Sequence, residues 1–234
     1  MKLIASVQGT VAVRVSNDEV IPERGLLQRD LVQFVGNCYN FLVRPNIALG
    51  MTQPLVFQQG KFIKDEGDEY PISQLTVFGD GDAITARSTE ISDFILDDFL
   101  RKLDEGLGYR FEKSSQMRLY VSNVAVEFGA GLEEYIQALH MIEDILNNEI
   151  PRDDVPFKTK RLAFGYGDAT QPALPSLDEF KNADFLIERR AGEPYSKNRY
   201  FSSAPLRTAD HVRVLEQIEK SFSAREPRTR HRSA

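Results

Sequence analysis

Hydrophobic and polar positions alternate at two different periods along this chain, and the clearest change of period lies between Leu75 and Gly106. Leu75-Thr76-Val77-Phe78 and Ala83-Ile84-Thr85-Ala86 have the composition of strands. Asp80-Gly81 between them suits a two-residue hairpin loop, whose central residues take positive φ. After Ser88 the period lengthens. Ile91, Phe94, Ile95, Phe99 and Leu103 recur at helical spacing, with Leu96, Leu100 and Leu107 as a second stripe beside them. So wide an apolar face predicts a helix over about 90–105 laid on a sheet. Thr89 reads as its N-cap, Glu90 as an acid placed against the positive end of the dipole, and Gly106 as its stop.

The same patterns extend to the rest of the chain. Residues 3–15 read as a hairpin in which Leu3, Ala5 and Val7 alternate, Gly9 breaks, and Val11, Val13 and Val15 alternate again. Residues 26–45 fit two elements. Leu27, Leu31, Phe34, Val35 and Cys38 make a helical face, but Gly36 and Asn37 are costly inside a helix and favour a strand after Asp30. Residues 55–63 read as a strand or hairpin with Gly60 at a bulge or turn. In 118–128, Leu119 and Val121 run out of phase with Val124, Val126 and Phe128, so either both faces are covered or a bulge near Ser122-Asn123 resets the register. A second helix is expected over 132–148, with Leu132, Tyr135, Ile136, Leu139, Ile142 and Leu146 inward and His140 outward. A strand follows at 161–167, a second hairpin at 183–192 and 198–205, and a third helix over 209–222 capped by Thr208.

These elements predict an α+β fold: a largely antiparallel multi-stranded sheet with three amphipathic helices packed on it. No internal repeat stands out. Residues 1–223 read as one α+β domain, with a weak boundary at 151–156 where prolines flank a charged loop. Residues 224–234 lack any apolar period and read as a basic flexible tail.

Composition adds three constraints. No run of eighteen apolar residues exists, so no helical membrane span is expected. The start, MKLIASVQGTVAVRV, alternates instead of forming the apolar block of a signal peptide. A single cysteine, Cys38, excludes an internal disulfide framework and fits a reducing cytoplasm. Charge is unevenly spread: residues 1–150 hold 13 basic and 23 acidic side chains, a net −10, and residues 151–234 hold 16 and 12, a net +4. The halves, or copies of the chain, can therefore attract each other. A pI near 5.3 argues against a nucleic-acid binder, leaving only the arginine-rich tail for that role.

Catalytic signatures are absent: there is no GxSxG, GxxxxGK[ST], HExxH, CxxC or GxGxxG. Asp80, Asp82, Asp93, Asp97 and Asp98 put five carboxylates in nineteen residues, but their spacing matches no calcium loop. Turn chemistry and the i,i+4 pairs Asp97–Arg101 and Asp98–Lys102 account for them, Asp93 is surface charge, and no metal or cofactor is expected. Cys38 reads as a structural thiol. The densest gathering of functional groups is 188–211, where Arg189, Arg190, Arg199, Arg207 and His211 fall on or beside two neighbouring strands. Arginine forks there suit a carboxylate, a phosphate or an acidic partner surface.

Two functions fit. One is a non-catalytic subunit or adaptor of a cytoplasmic multi-protein assembly of bacterial or phage type, acting through a protein partner or as a homo-oligomer. The other is an enzyme, a hydrolase or nuclease, that holds an anionic substrate with the 188–211 cluster.

Overall fold

The computed structural model describes residues 1–15, 27–46, 54–64, 67–110, 117–150, 156–165, 177, 180 and 183–223. They form one antiparallel sheet of eight strands with four helices. In chain order these are β1 (Lys2–Arg14), α1 (Gln28–Cys38), β2 (Leu55–Ile63), β3 (Glu69–Phe78), β4 (Gly81–Ala86), α2 (Thr89–Leu107) and β5 (Arg118–Glu127). There follow α3 (Leu132–Tyr135 and Gln137–Glu149, interrupted at Ile136), β6 (Arg161–Phe164), β7 (Phe185–Arg189), β8 (Arg199–Ala204) and α4 (Thr208–Ser223). The strand order is β2-β3-β4-β1-β5-β8-β7-β6.

That order contains a repeat. Strand, helix, three strands, helix occurs twice, and the sheet reads as two mirrored sets of four strands about the β1–β5 pair. The register makes the correspondence residue by residue. Gly9 to Arg14 pair with Ala86 to Gly81, and Ser122 to Glu127 pair with Ala204 to Arg199. Gly9 and Ser122 also pair with each other, so the pseudo-two-fold axis passes through that pair. Val11-Ala12-Val13 and Val124-Ala125-Val126 are the matching triplets, and Thr89 matches Thr208.

At the axis the first turns of α2 and α4 meet. The Thr89 N–H donates to Thr208 Oγ1 at 3.0 Å, and the Thr208 N–H donates to Thr89 Oγ1 at 2.7 Å. Each helix begins with backbone donors that no carbonyl of its own can reach, and here each threonine satisfies the other's. Glu90 Oε1 takes a further N–H, from Ala209. Gly9 lies directly beneath: a Cβ there would stand 2.1 Å from the Thr89 nitrogen. Only glycine admits the helix so close to the strand.

Two clusters fill the helix-bearing face. One joins β1–β4, α1 and α2 through Val11, Val13, Leu75, Ile84, Ile95, Leu96 and Phe99. The other joins β5, β7, β8, the start of α3 and α4 through Val124, Val126, Ile187, Tyr200 and Leu215. On the opposite face, Leu177 and Phe180 from the β6–β7 connection cover Ala12, Phe78, Ala83 and Leu119. Leu119 is therefore out of phase with Val124 because both faces of β5 are covered.

Several expectations change. Residues 2–14 form one strand rather than a hairpin, bent by register shifts between Leu3 and Ala5 and between Ser6 and Gln8. Residues 28–38 are a fourth helix, not a strand. Leu31, Val32 and Val35 bury on one side and Arg44 Nη2 bonds the Gly36 carbonyl at 3.1 Å, so packing outweighs the propensity cost of Gly36. The β3–β4 loop is Gly79-Asp80, one residue earlier than expected, because Phe78 pairs with Gly81. Ser88, not Thr89, is the N-cap of α2, and Gly108 at φ 74°, not Gly106, ends it. Gly106 instead makes room for the Phe34 ring of α1. The boundary at 151–156, except for Pro156, and the tail at 224–234 lie outside the described residues.

The threonine exchange yields a double-mutant cycle. Thr89→Val and Thr208→Val should each lower unfolding stability by about 1 kcal/mol. The double variant should lose less than the sum, since either change alone already breaks part of the shared network. Urea denaturation of the four proteins measures both quantities.

Candidate functional site

His211 is the side chain with most catalytic promise in the sequence, and it is wholly buried. It lies one turn into α4, where its ring reaches down to β5 and β8. Ser122 Oγ stands 2.6 Å from Nδ1 and Ser202 Oγ 2.9 Å from Nε2, with the Phe185 ring edge-on at 5.6 Å. The Ser202 hydroxyl donates to the Leu186 carbonyl at 2.6 Å. Its oxygen must then accept from Nε2–H, which leaves Nδ1 as the acceptor for Ser122. The ring is thus held neutral in one tautomer. Burial lowers its pKa to about 4, against a smaller opposing effect of the Ser122 backbone. A serine bonded to a histidine resembles a nucleophile and its base. Here Ser122, Ser202 and His211 are all fully buried, so no substrate reaches them in this conformation.

The arginines of the 188–211 cluster do not gather around it. Arg189 pairs across the sheet with Tyr200, so it shares a face with that ring and lies opposite Arg199. Its guanidinium stacks 4.4 Å from the Tyr195 ring centre and 4.7 Å from that of Tyr200, and donates to the Tyr195 carbonyl. Arg199 bonds Glu127 and Glu193, each at 3.0 Å. Arg207 sits near the pseudo-axis on Tyr120 and lies 3.4 Å from Asp93. Arg190 is exposed. Three of the four arginines therefore serve packing or internal ion pairs. Arg190 lies beside Arg199 across the strands, its N–H donating to the Arg199 carbonyl at 3.0 Å, but the Arg199 guanidinium is already held by two glutamates.

The carboxylates separate just as widely. Asp98 bonds Lys102 at 2.6 Å, as its spacing predicted, and accepts from the Tyr39 hydroxyl at 2.8 Å. Asp97 departs from the expected Arg101 pair and bonds Arg118, which also holds Asp93. Asp93 is more than surface charge, because Arg118, Arg207 and the Tyr120 hydroxyl converge on it. Asp80 lies near Arg14 at 3.7 Å. Asp82 is the exception. It is 6% exposed, it shares the inward face of β4 with Ile84 and Ala86, and burial pushes its pKa up to about 7. Its charge helps raise the neighbouring Tyr109 to about 12. The alternation Asp82, Ile84, Ala86 carried this signal in the sequence. Among the described residues no three His, Cys, Asp or Glu side chains are placed to share a metal ion. Cys38 is partly buried, and burial raises its pKa, opposite to the shift an activated thiol needs.

The most unusual surface belongs to α3. Its longer piece buries Glu143, at 3% exposed, and turns Met141, Ile142 and Ile145 to solvent at 59%, 54% and 59%. Glu143 accepts from the Thr159 N–H at 2.5 Å and from Lys158 at 3.3 Å, while Asn147 exchanges two hydrogen bonds with the Phe157 backbone. These bonds fix the helix with a polar side inward. Ile142 thus points away from the expected face, whereas His140 is exposed as expected. Residues 156–160 lead straight into β6, whose Phe164 is 61% exposed. Among the described residues no strand pairs with the outer edge of β6, and no helix is long and apolar enough to cross a membrane.

No family model matches this sequence, and no curated protein is significantly similar to it.

Asp82 and His211 have opposite pH signatures. His211 falls from 6.5 to about 4 on folding, so its contribution is complete above pH 6.5 and is lost as pH drops towards 4. Asp82 rises from 3.8 to about 7, so it costs stability as pH rises through that window. Asp82→Asn should therefore stabilise the protein at pH 8 by up to about 4 kcal/mol. It should also leave a melting temperature that climbs steeply between pH 4 and 6.5. His211→Gln should tilt the profile the other way, with stability falling as pH rises over the same range. Thermal melts of the three proteins across pH 4–8 check both signs.

Proposed function

We propose that the chain is a non-catalytic subunit or adaptor that works through protein–protein contacts in a cytoplasmic assembly. The observation that carries this reading is α3, an amphipathic helix anchored by its polar side with its apolar side in solvent. An exposed apolar strip costs solubility and is a mark of surfaces that another molecule covers. The outer edge of β6, which no strand among the described residues pairs with, adds backbone donors and acceptors that a partner strand can use. Supporting evidence comes from the cluster at 188–211, where Arg189, Arg199, Arg207 and His211 are engaged in stacking, ion pairs and a buried hydrogen-bond chain.

The enzyme reading requires the arginines and His211 to converge on one anion. Their placement on opposite faces of the sheet and in the core does not favour it.

Cross-linking of the tagged chain at native abundance, followed by mass spectrometry, tests the proposal. Cross-links should concentrate on Lys158 and Lys160, beside α3, and join them to a stoichiometric protein, either a second copy of the chain or a different one. A chain recovered without cross-links at that face, together with hydrolytic activity abolished by Arg190→Ala, overturns it. Arg190→Ala should itself change stability by no more than about 0.5 kcal/mol, since the side chain is exposed.

A further inference from the structure

The internal repeat supplies a control for the unpartnered surface. In the first half, α1 buries Leu31, Val32 and Val35 in the core, and Phe34 packs against Gly106 of α2. The segment after α1 then runs along the outer edge of β2. Leu42 N–H donates to the Gln59 carbonyl, Val43 exchanges hydrogen bonds with Gln58, and Lys61 N–H reaches the Tyr39 carbonyl at 2.8 Å. The chain itself closes that edge. In the second half the corresponding helix, α3, meets α4 through Tyr135 stacked 5.3 Å from Phe222. Its apolar strip stays outside, and among the described residues nothing lies along β6.

Among the described residues the sheet therefore has one sealed edge and one open edge. Head-to-tail growth needs two open edges, whereas one open edge is closed by a second copy of itself, through an isologous contact that ends at two chains. Charge agrees. The exposed face carries Asp144 and Glu149 on the helix, and Lys158, Lys160 and Arg161 on the neighbouring segment. A two-fold axis between them sets the acids of one copy against the bases of the other.

We propose that this face closes on its own copy: two chains meet about a two-fold axis through α3 and the β6 edge, each covering Met141, Ile142 and Ile145 of the other. The proposal rests on the adaptor reading and names its first partner. The contact buries an apolar strip at its centre and leaves a polar rim of both signs, the usual anatomy of such interfaces.

Sedimentation equilibrium of the full-length chain over a wide concentration range tests it. The wild type should fit a monomer–dimer equilibrium with nothing larger. Ile142→Glu/Ile145→Glu should shift the midpoint at least about 100-fold towards monomer. Both positions are exposed, so an unchanged melting temperature of the dilute monomer shows that the variant folds. Leu42→Glu, on the sealed edge, should leave the dimer intact. A dimer that survives Ile142→Glu/Ile145→Glu, or one lost in Leu42→Glu, overturns the proposal, as does a growing series of oligomers. A strict monomer overturns it too. If that monomer still cross-links to a different protein at Lys158 or Lys160, the adaptor reading stands and only the self-partner fails. If it cross-links to nothing, both fail.

Discussion

Two helices starting at one point over the central strand pair are the constraint on which this architecture turns. Thr89 and Thr208 exchange hydrogen bonds between backbone and hydroxyl, and so couple α2 to α4 across 119 residues of chain. The coupling needs Gly9, because a side chain on that strand would occupy the space of the Thr89 backbone. From this point the long axes of both clusters follow. Each helix runs out over the sheet from there, α2 chiefly against β1 and β4 and α4 chiefly against β5. Two positive dipole ends brought together would repel, and Glu90, bonded to the Ala209 N–H, offsets them.

The two halves share a plan and differ in what each does with it. Ser92 and His211 occupy matching positions three residues into their helices. Ser92 spans the short distance to the Gly9 carbonyl at 2.7 Å, whereas His211 sits over Ser122 and needs a second serine beyond it. A residue that looks catalytic in a list of histidines is thus the larger of two solutions to one packing problem. The same comparison isolates α3. Its counterpart α1 is a core helix, and α3 is held by polar groups at a distance from α4, which frees an apolar face for other use. Interlocking across the halves comes from the β6–β7 connection, whose Leu177 is fully buried beneath the first half's strands.

Electrostatics divides in a similar way between surface and interior. Paired groups such as Arg199 with Glu127 and Glu193 are solvent-screened and worth little individually. Asp82 and His211 are different, because burial disfavours the charged form of each and dominates both shifts. Their opposite demands make the chain's pH response a difference between two large effects.

Much of this fold was legible in the sequence. The stripes through Ile95–Leu103 and Val214–Phe222, the hairpin of β3 and β4 and the pair β7–β8 are local patterns, and burial of one face acts on each of them directly, although Phe94 of the expected stripe is 46% exposed. The repeat was not legible. Its shared residues come down to Val-Ala-Val and a threonine, too short a signature to stand out from chance. Residues 28–38 were misread because Gly36 is expensive in an isolated helix, and the compensating packing comes from residues distant in sequence. The geometry of the 188–211 cluster was not legible for the same reason. Strand alternation told which of the residues from Arg189 to His211 share a face only once the pairing of Arg189 with Tyr200 was known. The sequence alone determined the elements, since periodicity is a property of consecutive residues. Tertiary structure decided that Thr89 meets Thr208, that Ile142 faces water and that His211 does not, since each depends on which distant groups compete for the same space.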